Sequence, residues 1–252
     1  MDNKPAYVIV GAAGGIGSVV CRRLAKSGAR ILLVGRTADK LQSLAEELQS
    51  LDPAGQFIPF AADATKSAEV DAAFAKAVEL FGTLSGAANL VGSILLKPAH
   101  LTTDAELEDT LSLNTRSAFY TVRAAAKAMM NTGGSVVLAS TVAATIGLTN
   151  HEAIATAKGA VNGLVLSAAA TYAPRNIRVN AVAPGLVKTP LAAKITGNEL
   201  ALKASTAMHP LGRVGEPDDV AACVAWLLDP NTTWVTGQVI GIDGGLGKVK
   251  AK

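Results

Sequence analysis

The stretch AYVIVGAAGGIG, residues 6–17, decides the fold. Its first five residues form a continuous apolar run of strand length, which fits a strand buried on both faces of a parallel sheet. The run passes directly into Gly11, Gly14, Gly15 and Gly17, and a helical pattern follows from about Ser18. A strand, a glycine-rich turn and a helix in this order let the backbone approach a pyrophosphate and aim helix N-terminal N–H groups at it. The stretch therefore predicts a dinucleotide-binding βα unit, with Gly11, Gly15, Ile16 and Gly17 at the phosphates.

Similar runs recur along the chain: RILLVG (30–35), QFIPFAA (56–62), LSGAANLV (84–91), SVVLAS (135–140), IRVNAVA (177–183) and QVIGID (238–243). Between them, 17–28, 38–51, 67–81, 104–131, 152–173 and 217–229 carry apolar residues at helical spacing. Strands alternating with helices predict one doubly wound Rossmann-type α/β domain over residues 1–252, a seven-stranded parallel sheet with helices on both faces. Segment 186–216, LVKTPLAAKITGNELALKASTAMHPLGRVGE, is too long for a simple connection and reads as a substrate lid or a helical insertion.

Composition narrows the function. Net charge is +3, with Lys and Arg scattered among acidic residues, so the surface carries no nucleic-acid footprint. Cys21 and Cys223 stand apart from each other and from histidines, which predicts buried thiols and no metal site. No secretory leader or run of about 18 uninterrupted apolar residues is present, so a cytoplasmic protein without a membrane partner is expected.

The second strand ends in Gly35-Arg36. An acidic residue there would bind the ribose 2′-hydroxyl, whereas glycine and arginine leave room and charge for a 2′-phosphate, so the expected cofactor is NADP(H). Asp63, after the third strand, either receives the adenine amino group or caps the following helix.

Several stretches together resemble the short-chain dehydrogenase/reductase family. Gly11-x-x-x-Gly15-x-Gly17 resembles its TGxxxGxG turn, with Val10 for the threonine. Asn89-Leu90-Val91-Gly92 resembles NNAG, Asn114 the family's helix asparagine, and Ser140-Thr141 its serine pair. Pro184-Gly185-x-x-x-Thr189 resembles the PGxxxT segment beside the nicotinamide. The ends IRVNAVAPG, HPLGRVGEPDDVA and VTGQVIGIDGG are similar to bacterial carbonyl and β-ketoacyl reductases of this family. The resemblance runs from residue 6 to about 246. It implies a cofactor held by Asn89, Lys158, Pro184, Gly185 and Thr189 as well as by the glycine turn, a small-molecule substrate, and a homodimer or homotetramer.

The departure lies in the family's YxxxK. Thirteen residues beyond Thr141 stands Ile154, and Lys158 follows four later. The resemblance gives Lys158 the nicotinamide ribose, but Ile154 can neither donate nor accept a hydrogen bond. Tyr172 is about 27 Å along the same helix, and Tyr120 lies on another.

Asn150 is a good N-cap for a helix opening at His151. That start puts His151, Ile154 and Lys158 at i, i+3 and i+7 on one face, with His151 one turn from the missing phenol as a neutral donor or a surface residue. Thr141, or Ser140 if the register slips by one, keeps a hydroxyl at the serine place. Asn114 is a site residue or a satisfied core amide. The expected function is an NADP(H)-dependent oxidoreductase with an atypical acid, reducing a carbonyl or a conjugated carbon–carbon double bond in a small apolar substrate. The alternative is a cofactor-binding pseudoenzyme, acting as a partner or redox sensor.

Overall fold

The computed structural model describes residues 4–250. Seven strands, β1 (Ala6–Val10), β2 (Arg30–Gly35), β3 (Phe57–Ala61), β4 (Gly86–Asn89), β5 (Gly134–Ala139), β6 (Ile177–Pro184) and β7 (Val239–Ile242), pair in parallel in the order β3-β2-β1-β4-β5-β6-β7. The chain winds outward from β1 to β3, then returns to lay β4 on the other side of β1, with Val10 beside Asn89. This reversal opens a crevice at the carboxyl ends of β1 and β4, where α/β sheets bind ligands.

Strand periodicity explains why β1 is apolar throughout. Ala6, Val8 and Val10 pack into one core and Tyr7 and Ile9 into another. The first core is closed by α3 (Ser67–Phe81), α5 (Ser117–Met129) and α6 (Glu152–Tyr172), through residues such as Phe74, Val122 and Val161. The second is closed by α1 (Gly15–Lys26), α2 (Ala38–Leu51) and α9 (Pro217–Leu228), through Val20, Leu41 and Val224. Both faces of the sheet are thus covered, as the continuous apolar runs require.

Three boundaries differ from the sequence expectation. The first helix opens at Gly15, earlier than Ser18. The region 104–131 is two helices, α4 (Asp104–Leu111) and α5, joined by a π-helical turn over Ser112–Arg116. Ser117 N–H there reaches the Ser112 carbonyl, five residues back. The sixth core helix starts at Glu152, because Asn150 is left-handed (φ 62) and His151 occupies the N-cap without a side-chain capping bond.

Segment 186–216 holds α7 (Ala193–Thr196) and α8 (Glu199–Met208), which leave Leu191, Leu200 and Leu211 exposed. Residues Glu152–Arg175 are long and apolar enough to cross a membrane, with mean hydropathy 1.3. Val161, Val165, Ala168 and Ala169 of that helix are nevertheless buried against the sheet, which is what an apolar core helix looks like.

Candidate active site

The glycine turn, the end of β2 and the loop after β4 enclose a cleft of about 400 Å³. Gly11, Gly15, Ile16, Gly17, Arg36, Asp63 and Thr189 all line it. Gly11 is left-handed (φ +85), and a Cβ on Gly17 would stand 2.1 Å from the Gly11 carbonyl oxygen. The turn is therefore wound too tightly for a Cβ at position 17. Gly17→Ala should destabilise the fold by at least about 2 kcal/mol through overpacking, checked by thermal denaturation beside Gly163→Ala, whose Cβ would meet nothing within 4 Å.

Arg36 lines the cleft at the end of β2, and Lys40 in the first turn of α2 joins it, a residue not singled out from the sequence. Both are exposed, and neither joins an ion pair among the described residues. The spacing of Arg36 and Lys40, four apart across a helix start, was the available signal. Asp63 accepts the Thr65 N–H and hydroxyl at 2.9 and 2.8 Å. Partial burial pushes its carboxyl up, but these bonds with Arg36 and Lys66 outweigh it and hold the pKa below the ordinary value. Asp63 thus fixes the turn at Thr65 and lines the cleft, but it does not cap α3, whose N-cap is Lys66 without a side-chain bond.

Asn89 does not line the cleft. It is buried, donating to Thr121 Oγ1 at 3.0 Å and accepting Val91 N–H at 2.9 Å, so it fixes the turn that presents Leu90, Val91 and Gly92. Pro184 and Gly185 also stand behind the surface, while Thr189 reaches it. A Cβ on Gly15 would meet the Thr189 side chain at 2.9 Å, so the segment after β6 lies directly against the phosphate turn.

The deeper wall of the cleft is Gly92. A Cβ on it would sit 3.0 Å from Asn114 Oδ1 and 3.5 Å from Lys158 Nζ. Asn114, on the π-helical turn and 1% exposed, is saturated: it donates to Ser93 Oγ and the Thr110 carbonyl and accepts Ser93 N–H. Lys158 is 5% exposed and donates to the Ala139 carbonyl at 2.7 Å. Burial pushes its ammonium down to about 8. No carboxylate forms an ion pair with it among the described residues.

Ile154 is buried one turn before Lys158 and brings no polar atom. Of the two candidate hydroxyls, Ser140 is committed to Asn162 Oδ1 at 2.6 Å, whereas Thr141 donates only a long bond to the Pro184 carbonyl, 3.5 Å, and accepts the Ala143 N–H at 3.3 Å. Thr141 is the freer donor. His151 Nδ1 lies 2.8 Å from the Thr149 carbonyl. A carbonyl only accepts, so Nδ1 carries the proton and the neutral ring offers Nε2 as a lone pair. Of the two sequence readings of His151, a neutral donor or a surface residue, the first lacks a free ring N–H here, because Nδ1 is spent on the Thr149 carbonyl.

Other features lie elsewhere. A larger cavity, about 760 Å³ and lined by Ser85, Gly134, Arg178 and Trp234, opens at the amino ends of β4 to β6, away from the glycine turn. Among the described residues no group of three or more His, Cys, Asp and Glu could hold a metal ion.

A parallel sheet whose crevice carries a tight glycine-rich turn, two exposed cations outside any ion pair among the described residues and a buried lysine behind its wall fits a nicotinamide-dinucleotide oxidoreductase scaffold. The comparisons agree. Residues 11–247 match the family described as enoyl-(acyl carrier protein) reductase. The chain is 35% identical over 242 residues to galactitol 2-dehydrogenase (L-tagatose-forming) of Cereibacter sphaeroides, covering 94% of this chain and 92% of that protein. It is 36% identical over 251 residues to a hydroxynaphthalene reductase-like protein of Metarhizium majus, covering 94% and 93%. A short-chain type dehydrogenase/reductase from Mycobacterium ulcerans superimposes with TM-score 0.93 at 32% identity, over 98% of this chain and 91% of that one. The chain belongs to the short-chain dehydrogenase/reductase family, whose members use a nicotinamide cofactor, act on small molecules and are commonly oligomeric.

Proposed function

We propose that the protein is an NADP(H)-dependent oxidoreductase that reduces a carbonyl, or a carbon–carbon double bond conjugated to one, without a phenolic acid. The observation that carries this reading is Lys158, an ammonium kept buried behind the cleft wall where its only bond is to a backbone carbonyl. Such a group is costly unless a ligand uses it.

The residues fit the cofactor. Gly11, Gly15, Ile16 and Gly17 form the phosphate seat, and Arg36 with Lys40 takes the 2′-phosphate. Asp63 faces the adenine end, Lys158 the nicotinamide ribose, and Thr189 covers the seat from the β6 side, where Pro184, Gly185 and Asn89 shape it from behind. When bound, the dihydronicotinamide supplies the hydride. The Thr141 hydroxyl would donate to the oxygen that gains charge, the Lys158 ammonium would stabilise that charge electrostatically, and a proton from water would complete the alcohol. In a conjugated substrate the hydride reaches the β-carbon, so the oxygen needs hydrogen bonding more than immediate protonation. Asn114 holds the loop at Ser93 and thereby the wall between cofactor and lysine.

Residues 186–216 serve as the lid, and their exposed leucines suit an apolar substrate. A cytoplasmic homodimer or homotetramer completes the reading.

NADPH oxidation across a panel of ketones and enones tests it. Thr141→Ala should lower turnover by about 10²-fold, while His151→Ala should change it less than about threefold. Absence of turnover on every substrate would favour the second reading, a cofactor-binding protein without catalysis, which the apolar Ile154 supports. Cofactor choice is tested separately: Arg36→Ala with Lys40→Ala should weaken NADPH binding by about 10–100-fold and leave NADH unchanged. Equal losses for both dinucleotides would refute the assignment of these cations to the 2′-phosphate.

A further inference from the structure

His209 closes α8 and is 3% exposed. Its Nδ1 stands 2.6 Å from the Ser205 carbonyl in the last turn of α8, and its Nε2 accepts the Leu186 N–H at 3.3 Å. One tautomer satisfies both contacts: the proton is on Nδ1 and the lone pair on Nε2. The ring is seated against glycine on two sides. A Cβ on Gly185 would stand 2.6 Å from Nε2, and one on Gly244 would stand 3.6 Å from the His209 side chain. The tethered backbone is short of slack, since Leu186 is only three residues from Thr189, whose side chain lies on Gly15 of the phosphate turn. A second tie runs beside it, where Gly215 N–H donates to the Leu186 carbonyl and Lys188 N–H to the Gly215 carbonyl.

We propose that His209 is a positioning residue that fixes the cofactor-side segment Gly185–Thr189 through the Leu186 N–H, with its own ring held by the end of α8. This role rests on the cofactor cleft assigned above. The ring does not line the cofactor cleft; it acts through Leu186 on one side and Ser205 on the other.

Two near-isosteric substitutions separate the two bonds. In H209N the amide reaches the Nδ1 position and keeps the donation to Ser205, but Leu186 N–H loses its acceptor. In H209Q the amide reaches the Nε2 position and keeps Leu186 satisfied, but Ser205 loses its donor. NADPH affinity, read by fluorescence titration, should fall about tenfold in H209N, the usual scale for a buried donor left unpaired, and should stay within about threefold of wild type in H209Q. Hydrogen exchange without cofactor should quicken at residues 185–189 in H209N and at 199–209 in H209Q. The Michaelis constant for NADPH should rise in H209N with kcat changed less than about twofold.

Wild-type affinity together with wild-type exchange in H209N would overturn the proposal. If H209N does not fold, H209Q decides alone: a tenfold loss of NADPH affinity there would overturn it, because Leu186 keeps its partner. A wild-type protein that takes up no NADPH would instead remove the functional reading, and exchange at 185–189 in H209N would still test the tie.

Discussion

Ile154→Tyr should raise ketone reduction by about 10²–10⁴-fold, the usual contribution of a positioned general acid, or roughly 3–5.5 kcal/mol of barrier. The scaffold around position 154 is ready for it. Residue 154 shares the buried face of α6 with Ala157 and Lys158, and Lys158 is anchored at the Ala139 carbonyl, two residues before Thr141. A phenol introduced there would join an ammonium that favours its ionised form and a threonine hydroxyl whose own donation is a long 3.5 Å bond. The measurement is kcat/KM for NADPH-dependent reduction of the ketone panel, with Ile154→Phe as the control for added ring volume. Tyrosine should gain and phenylalanine should not. A folded Ile154→Tyr protein that binds NADPH and shows no gain would mean that the pocket is shaped for other chemistry. Enone reduction, which relies on charge stabilisation at the oxygen, should change much less than ketone reduction.

The features legible in the sequence are those set by local chemistry. Seven apolar runs became seven parallel strands because a strand buried on both faces has no polar positions to confuse the pattern. The glycine turn was legible because its spacing is dictated by backbone crowding, as the Gly17 contact with Gly11 shows. The π-helical turn at Ser112–Arg116 was not, because helical periodicity survives one extra residue; only the polar cluster SLNTRS hinted at it. His151 was misplaced for a related reason. A cap preference at Asn150 is a local propensity, and the left-handed backbone there overrode it by one residue. His151 became the N-cap, and its Nδ1 turned to the Thr149 carbonyl. Lys40 and His209 escaped notice because each matters through a neighbour distant in sequence or outside a strand, which periodicity does not report.

Lys158→Met should make the protein more stable and less able to bind its cofactor. Burial holds the lysine pKa at about 8, against an ordinary 10.5, and a gap of that size corresponds to about 3 kcal/mol of folding free energy lost at pH 7. Methionine fills a similar volume without a charge, while the Ala139 carbonyl loses a partner at about 1 kcal/mol. The net gain is about 2 kcal/mol, or about 4–8 °C in Tm for a domain of this size. The pH dependence has a definite sign. A lysine whose folded pKa is depressed is protonated more in the unfolded chain between about pH 8 and 10.5, so wild-type stability rises with pH across that window. The advantage of Lys158→Met should therefore be full below pH 8 and fade as pH approaches 10.5. NADPH affinity, measured by the same fluorescence titration, should fall at least about tenfold at pH 7, where the ribose loses its cationic partner, and by less at pH 10, where the wild-type lysine has shed its proton. Calorimetric scans at pH 7 and pH 10 decide the stability half. A Lys158→Met protein less stable than wild type at pH 7 would show that the ammonium has partners that repay its burial. The lysine would then be a structural group, and the strongest support for a working site behind Gly92 would be gone.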